Sequence, residues 1–398
     1  MAYQVEVGPE YNWDKDLLSS PGLTSNEGGE FTPLYASSGT PQPEGVVAGA
    51  NARIPEGTVF KLLFDKLPGT GAESALISQG WNMYIPIYQA VGDNEATGTI
   101  NLRAVREWCL NPENIGSTVE DGTYIMVDFE NPYFHHIYDY PLDSEEFQKS
   151  TRELVSVIQA VKAIYPNAKV GHYGIPVTHY WFTFINQEPL VRYNSRIHGP
   201  TTDWEGLLYG RNWYSATEEE KEVLINEYLD RNSRIMEAMD WFNPNCYDRY
   251  DSDVVFHNTT RRGMAKQYCY NQVEICQRFK DSSGSTAETI PAVSSMYWKM
   301  GQLEYNKKQI PTFDLLRDQI DGNIEHTGCN GLAFWHGMSY WVKDACTDRQ
   351  PPEPGDNPGP YTQWQESRFA FTKDYFNGTE PDWLGFYNTD DPDGPPNP

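Results

Sequence analysis

The sequence predicts an α/β protein organised as a TIM-like (β/α) barrel with seven or eight parallel strands. Short apolar runs rich in β-branched and aromatic residues recur between residues 58 and 349, as in buried strands. Amphipathic stretches with helical spacing follow several of these runs. Strand, helix and strand follow closely between residues 124 and 175, which predicts a βαβ unit with parallel strands and a right-handed crossover.

Seven strands are predicted in chain order, one fewer than the common barrel has. Pro86 in the second run must lie where no ladder donor is needed. The fifth run is unusually polar for a strand, whereas the others are apolar. The predicted strands are 59–64, 82–88, 124–127, 169–175, 241–247, 290–298 and 331–336.

Sequence patterns typical of helix starts lie between these predicted strands. Asp143 with Glu146 resembles a capping box at the start of a long amphipathic helix, which Pro166 ends. Thr217 with Glu220 predicts a second capped helix. A third is expected over about 262–279, and Thr312 is expected to begin a fourth.

Three parts of the chain differ in composition. Residues 1–57 are rich in Gly, Pro, Ser and Glu without a sustained period, which predicts an irregular N-terminal arm. Residues 58–349 form the predicted barrel domain. Residues 350–398 begin with a Pro/Gly-rich linker and end in an acidic tail, with aromatic islands between. We expect this C-terminal extension, like the arm, to dock on the barrel or on an assembly partner.

The charge of the chain limits its partners. A net charge of −26 and a pI near 4.6 disfavour nucleic acid, an anionic membrane surface and a strongly anionic substrate. No apolar run reaches the roughly 18 residues that membrane insertion needs. The first residues lack the basic-then-apolar order of a secretory signal. We expect an extracellular or virion-associated protein, with a cytoplasmic location as the alternative.

Neither a metal nor an organic cofactor is predicted. The six cysteines lack metal-ligand spacing, so free or partly paired thiols are expected. Imidazoles are available near the acids, but the chain contains no His-x-His on an early strand and no His-Glu-x-x-His. Serine-nucleophile, phosphate-binding and dinucleotide-binding motifs are also missing from the sequence.

The third predicted strand ends in two acids, Asp128 and Glu130. Because side chains alternate along a strand, both should point to the same side. Neighbouring carboxyl groups in a buried position resist ionisation, which is what acid/base chemistry near neutral pH requires. The alternative interpretation is that the two acids cap a helix or anchor a loop.

Aromatic residues accompany these acids at the predicted strand ends. In parallel barrels the carboxyl ends of the strands carry the functional groups. Acids among aromatic rings favour a sugar site, because aromatic faces stack on sugar rings while carboxyl groups act on the bond. With 26 Tyr and 12 Trp in the chain, some would lie there by chance. The strand-end residues are Asp65, Asp128, Glu130, Tyr173, Tyr247, Tyr297, Trp298, Trp335 and His336.

An ordered series of short motifs resembles the hyaluronidase family of glycoside hydrolases. The run Val-Asp-Phe-Glu at 127–130 is similar to that family's Asp-Trp-Glu, and 171–176 resembles its Gly-Tyr-Tyr-Gly-x-Pro strand. Residues 242–247 are similar to its Pro-Ser-x-Tyr strand, 291–298 to its aromatic sixth strand, and 331–337 to its closing strand with a Trp. The resemblance covers roughly residues 58–345, and Phe129 stands where the family has Trp.

The resemblance implies roles for these positions. Glu130 would be the general acid, and Asp128 would orient and stabilise an N-acetyl group of the substrate that acts as internal nucleophile. Tyr247 would complete the catalytic set by a hydrogen bond near that group. The substrate-binding residues would be Tyr173, Tyr297, Trp298, Trp335 and His336.

The predicted function is therefore a glycoside hydrolase that cleaves a polysaccharide or surface glycan, with Glu130 as general acid. Given the acidic surface, a neutral or N-acetylated glycan is expected rather than an anionic one. The alternative is a non-catalytic barrel that is a structural or glycan-binding component of a virus particle or cell-surface assembly. In that case residues 1–57 or 350–398 would contact the assembly partner.

Overall fold

A computed structural model describes residues 44–48, 50, 52–65, 77, 80–94, 98–111, 114, 119, 121–178, 217–246, 255–256, 259–293 and 313–334. The strands are β1 (Val46–Val47), β2 (Val59–Asp65), β3 (Asn82–Tyr88), β4 (Asp93–Asn94), β5 (Thr99–Ile100), β6 (Tyr124–Asp128), β7 (Lys169–Tyr173), β8 (Trp241–Asn243), β9 (Val255–Phe256), β10 (Thr259–Thr260), β11 (Glu288–Thr289), β12 (Ala292–Val293) and β13 (Gly331–Phe334). The α-helices are α1 (Leu102–Leu110), α2 (Tyr133–Asp139), α3 (Glu145–Ile164), α4 (Glu218–Met236), α5 (Arg261–Ser283) and α6 (Phe313–Ile324).

The main sheet is parallel and closes into a ring. Its strands follow the order β11-β8-β7-β6-β3-β2-β13-β12, and each neighbouring pair is parallel. Residues 288–293 supply both ends of this order. Ile290 N–H donates to Phe242 O (2.9 Å) on one side, and Ala333 N–H donates to Pro291 O (2.8 Å) on the other. The predicted α/β TIM-like barrel is thereby confirmed.

All seven predicted strand positions are occupied by strands of the sheet. The sixth differs from the prediction, because it consists of the short strands β11 and β12 on either side of Ile290 and Pro291. Pro291 has no N–H to donate to a ladder, which accounts for the interruption at this point. The described part of the closing strand ends at Phe334, and that of the fifth at Cys246.

Side-chain alternation separates the barrel interior from the layer beneath the helices. Tyr84, Tyr124, Met126 and Trp241 belong to one buried interior cluster. The residues between them face the helices, as in Ile85, Ile125, Val127 and Phe242 of the outer core. Gly171 is needed inside because a Cβ there would lie 2.5 Å from the Trp241 carbonyl oxygen.

The helix start signals are largely as the sequence predicts. Thr217 and Glu220 form a complete capping box at α4, which confirms that prediction. The cap of α3 is Ser144, whose side chain accepts from Phe147 N–H, and the prediction of Asp143 as the cap is wrong by one residue. Ser144 can replace the acid because either short polar side chain satisfies a free N–H of the first turn. Thr312 lies outside the described residues.

Charged residues fill the amino-terminal end of the barrel. Glu288 accepts from Tyr124 OH (2.6 Å) and from Lys169 Nζ (2.7 Å), and burial lowers the pKa of nearby Lys61. Burial, together with the Glu288 carboxylate, raises the pKa of Tyr124, so the phenol remains a donor. This cluster of Lys61, Tyr124, Lys169 and Glu288 stabilises the end of the barrel opposite the strand carboxyl ends.

Other predictions concern segments and thiols. Val46 pairs with Phe60, so the end of the predicted N-terminal arm adds an antiparallel strand to the sheet. The division at 57 and 349 stays a prediction, since most of the flanking residues lie outside the described ranges.

The described cysteines are free thiols, namely Cys109, Cys246, Cys269, Cys276 and Cys329. Within the described residues, no helix combines the length and apolarity needed to cross a membrane.

Candidate active site

Four polar residues occupy one level at the carboxyl ends of neighbouring strands. Tyr88 and Asp128 are register partners on β3 and β6. On the other side of β6, Val127 pairs with His172 of β7. The residue after His172, Tyr173, therefore lies at the level of Asp128. Tyr173 in turn pairs with Asn243 of β8. Alternation along each strand directs all four side chains toward the barrel interior.

Asp128 is buried in this layer, with 6% of its surface exposed. Its Oδ1 makes no hydrogen bond to any of the described residues. Burial raises the pKa of Asp128 well above its usual range, and the nearby charge of Glu130 raises it further. This end of the barrel therefore disfavours charge on the Asp128 carboxyl.

Glu130 follows two residues after Asp128, beyond the end of β6, and its side chain is half-buried. Its backbone is fixed on both sides. The Glu130 N–H donates to Gln89 Oε1 (3.0 Å), and the Glu130 carbonyl accepts from Phe134 N–H (2.8 Å). Phe129 between the two acids is fully buried in the outer core, which anchors the segment in the opposite direction.

A second buried acid, Asp65, lies at the end of β2 with 4% of its surface exposed. It is in register with Tyr84, whose OH donates to Phe334 O (2.9 Å) inside the barrel. Burial raises the pKa of Tyr84 well above its usual range, and Asp65 and Asp128 add to that rise. The charges of both acids therefore act on the same buried phenol.

Tyr173 is buried in the interior cluster, and Asn245 Nδ2 donates to its phenolic oxygen. Asn243 donates to Ile290 O (2.7 Å), whereas its Oδ1 has no partner within the described part of the chain. The barrel mouth thus holds a fully buried acceptor, which lies at the same level of the sheet as Asp128 but two strands away. Asn243 and Asn245 were not singled out by the sequence analysis, although the polar character of this strand was the signal for them.

The histidines of the described region do not form a metal site. His172 is fully buried and faces the outer layer, where its ring contacts Tyr173 O (2.7 Å) through Nδ1 and accepts from Phe129 N–H (3.4 Å) through Nε2. Burial lowers the pKa of His172 to about 4, so the ring is neutral. Across the described residues, no group of three or more His, Cys, Asp or Glu side chains could hold a metal ion.

The described structure therefore brings together three of the predicted site residues, namely Asp128, Glu130 and Tyr173. It adds Asp65, Tyr88, Asn243 and Asn245 to the same end of the barrel. The other predicted site residues lie outside the described ranges and stay predictions. They are Tyr247, Tyr297, Trp298, Trp335 and His336.

Comparison with solved structures finds glycoside hydrolases. The chain is similar to bee venom hyaluronidase, with 12% sequence identity and a TM-score of 0.46, over 79% of this chain and 99% of that chain. A bee venom hyaluronidase in complex with a hyaluronic acid tetramer is similar at 13% identity and a TM-score of 0.45, over 79% and 98%. A β-glucosidase from Thermotoga maritima in complex with castanospermine is similar at 14% identity and a TM-score of 0.35, over 81% and 84%.

No protein-family model matches the sequence, and no curated protein matches it. The two bee venom hyaluronidase structures bear the name of the family that the ordered motifs of this sequence resemble, and their likeness to this chain is distant.

Proposed function

We propose that the protein is a glycoside hydrolase that cleaves a polysaccharide or surface glycan, with Glu130 as the general acid. The observation that carries this proposal is the pair of carboxyl groups at the barrel mouth. Asp128 is buried, its Oδ1 has no hydrogen-bond partner among the residues that the structure describes, and Glu130 beside it is partly open to solvent. Burial and the charge of Glu130 raise the pKa of Asp128, and a site that disfavours carboxylate charge favours the protonated acid that this chemistry needs.

The two acids have different tasks in this proposal. Glu130 gives its proton to the glycosidic oxygen as the bond between that oxygen and the anomeric carbon breaks. If the sugar carries an N-acetyl group, its carbonyl oxygen bonds to the anomeric carbon from the opposite face. Asp128 Oδ1 accepts from the acetamido N–H and holds the group in line. Water then opens the cyclic intermediate and returns a proton to Glu130.

The surroundings of the acids support a neutral or N-acetylated sugar. Tyr88 is 41% exposed at the rim, where its ring can stack on a sugar face. Asn243 Oδ1 offers a buried acceptor to a hydroxyl or amide donor of the ligand. The net charge of −26 and the interior acids oppose an anionic chain.

A panel of neutral and N-acetylated polysaccharides and oligosaccharides tests this proposal. The full chain should release new reducing ends from at least one of them, and Glu130→Gln should lower that rate by about 10²–10⁴-fold. The Gln side chain has nearly the same shape, so the unfolding temperature should stay close to that of the parent.

The other outcome would identify a different class of protein. If the parent binds a glycan of the panel but cleaves none, the glycosidase proposal is wrong. The barrel would then be a glycan-binding component of an assembly, and a stoichiometric complex formed through residues 1–57 or 350–398 would support that role.

A further inference from the structure

We propose that Gln89 is a positioning residue that holds the Glu130 carboxyl in the geometry for proton delivery. This inference rests on the proposed function of Glu130. Gln89 begins the 3₁₀ turn (Gln89–Val91) that directly follows β3. Its side chain reaches across to the loop that follows β6, which carries the acid.

The contact consists of three hydrogen bonds from one side-chain amide. Oε1 of Gln89 accepts from Glu130 N–H (3.0 Å) and from Asn131 N–H (3.2 Å). Nε2 of Gln89 donates to Asn131 O (2.6 Å). A primary amide matches this backbone segment because it offers an acceptor and a donor side by side.

Glu130 needs such support because sheet register does not determine its position. The ladder between β3 and β6 ends with Tyr88 and Asp128, so the orientation of Asp128 follows from the sheet. Glu130 lies two residues further, in the loop. There its N–H is held by Gln89 and its carbonyl by Phe134 N–H (2.8 Å).

The bonded segment also lies beside the other parts of the candidate site. Gln89 is the residue after Tyr88, the exposed aromatic at the rim, and Tyr88 is the partner of Asp128. One strand end therefore supplies both a stacking surface and the support for the acid. A shift of about 1 Å at a reacting group can cost roughly a hundredfold in rate, so a loosened Glu130 loop should slow bond cleavage.

Gln89→Met tests the role, since Met keeps the length of the side chain but can make none of these bonds. On the glycan that the parent cleaves, kcat should fall about tenfold to a hundredfold while KM changes less than about twofold. On an aryl glycoside with dinitrophenolate as leaving group, which departs without a proton, most of this loss should vanish. Gln89→Glu keeps the acceptor oxygen and should retain more activity than Gln89→Met.

Gln148→Met is the matched control. Gln148 lies on α3, and its Nε2 donates to the backbone oxygen of Leu142 (2.7 Å), which belongs to a turn outside the barrel mouth. This variant should lose comparable stability but keep the parent kcat on both substrates.

Two results would overturn the inference. The first is a Gln89→Met variant that keeps the parent kcat. The second is a variant whose rate falls equally on both substrates, as expected for a loosened fold. In either case Gln89 does not position the acid, even though the parent is a glycosidase. A parent that cleaves no glycan is a separate result. It removes the proposed function and, with it, this role.

Discussion

Tyr88 and Asp128 are register partners at the carboxyl ends of two adjacent parallel strands, yet 41% of the tyrosine is exposed and only 6% of the aspartate. The ring is accessible from solvent, whereas the carboxyl is accessible only to a group that enters the barrel. A sugar with an N-acetyl group can contact both residues, since its ring can stack on Tyr88 while the N-acetyl group reaches inward to Asp128. This relationship orients the ligand in the proposed site.

Asp128→Asn should stabilise the fold at neutral pH while lowering activity. The charged form of Asp128 is disfavoured in the folded protein, because burial and Glu130 raise its pKa. Removing that charge should raise the free energy of unfolding by about 1 kcal/mol or more, as replacing functional-site residues often does. Denaturant unfolding of parent and variant near neutral pH measures the difference.

The pH dependence of that difference has a definite sign. A carboxyl with a raised folded-state pKa stabilises the fold fully below its unfolded pKa of about 4, and this contribution is lost as pH rises toward the folded value. The advantage of Asp128→Asn should therefore be large at neutral pH and shrink toward about pH 4. An advantage that grows on acidification would contradict the raised pKa of the buried Asp128 carboxyl.

Glu288→Gln should destabilise the barrel without changing catalysis. Glu288 accepts from Tyr124 OH and Lys169 Nζ at the amino-terminal end of the strands. Loss of its charge weakens both bonds, at a cost of about 1.5–3 kcal/mol for hydrogen bonds to a charged group. Thermal unfolding should show the loss, and kcat and KM at a temperature where the variant is folded should match those of the parent.

Tyr173→Phe should weaken both ligand binding and stability. The variant removes the phenolic oxygen that accepts from Asn245 Nδ2, so a donor of this buried asparagine loses its partner there. We expect a loss of about 1–3 kcal/mol in unfolding free energy and a severalfold rise in KM. Unfolding curves and initial rates over a range of glycan concentrations measure the two effects.

A double variant separates these two effects. Adding Asn245→Leu to Tyr173→Phe removes both partners of the bond and should recover part of the stability. The raised KM should persist, because the double variant still lacks the Tyr173 hydroxyl and also lacks the Asn245 amide at the barrel mouth. Recovery of KM together with stability would show that Tyr173 acts on the ligand only through the fold.

The strands and the orientation of Asp128 could be predicted because both depend on local pattern. Apolar runs identified the strands, and alternation placed Asp128 on the interior face. The break of the sixth strand at Pro291 and the cap at Ser144 rather than Asp143 were missed, since each depends on a one-residue choice that neighbouring contacts decide.

Gln89 could not be predicted as part of the site. Its sequence neighbourhood carries no acid/base or metal motif, and its role depends on the pairing of β3 with β6, which brings Gln89 against the Glu130 loop 41 residues away. Asn243 could not be predicted as part of the site either. Asn243 becomes buried only once β8 pairs with β7, and only then is its Oδ1 left without a partner among the described residues.

The most direct test of the central claim compares Glu130→Gln with the parent on two substrates of the same sugar. One is the glycan that the parent cleaves, and the other is its dinitrophenyl glycoside, whose leaving group needs no proton. A general acid predicts that kcat for the glycan falls about 10²–10⁴-fold, whereas the rate of the first bond cleavage in the aryl glycoside falls far less. Equal losses on both substrates, or a variant as active as the parent on the glycan, would contradict the assignment of Glu130 as the acid.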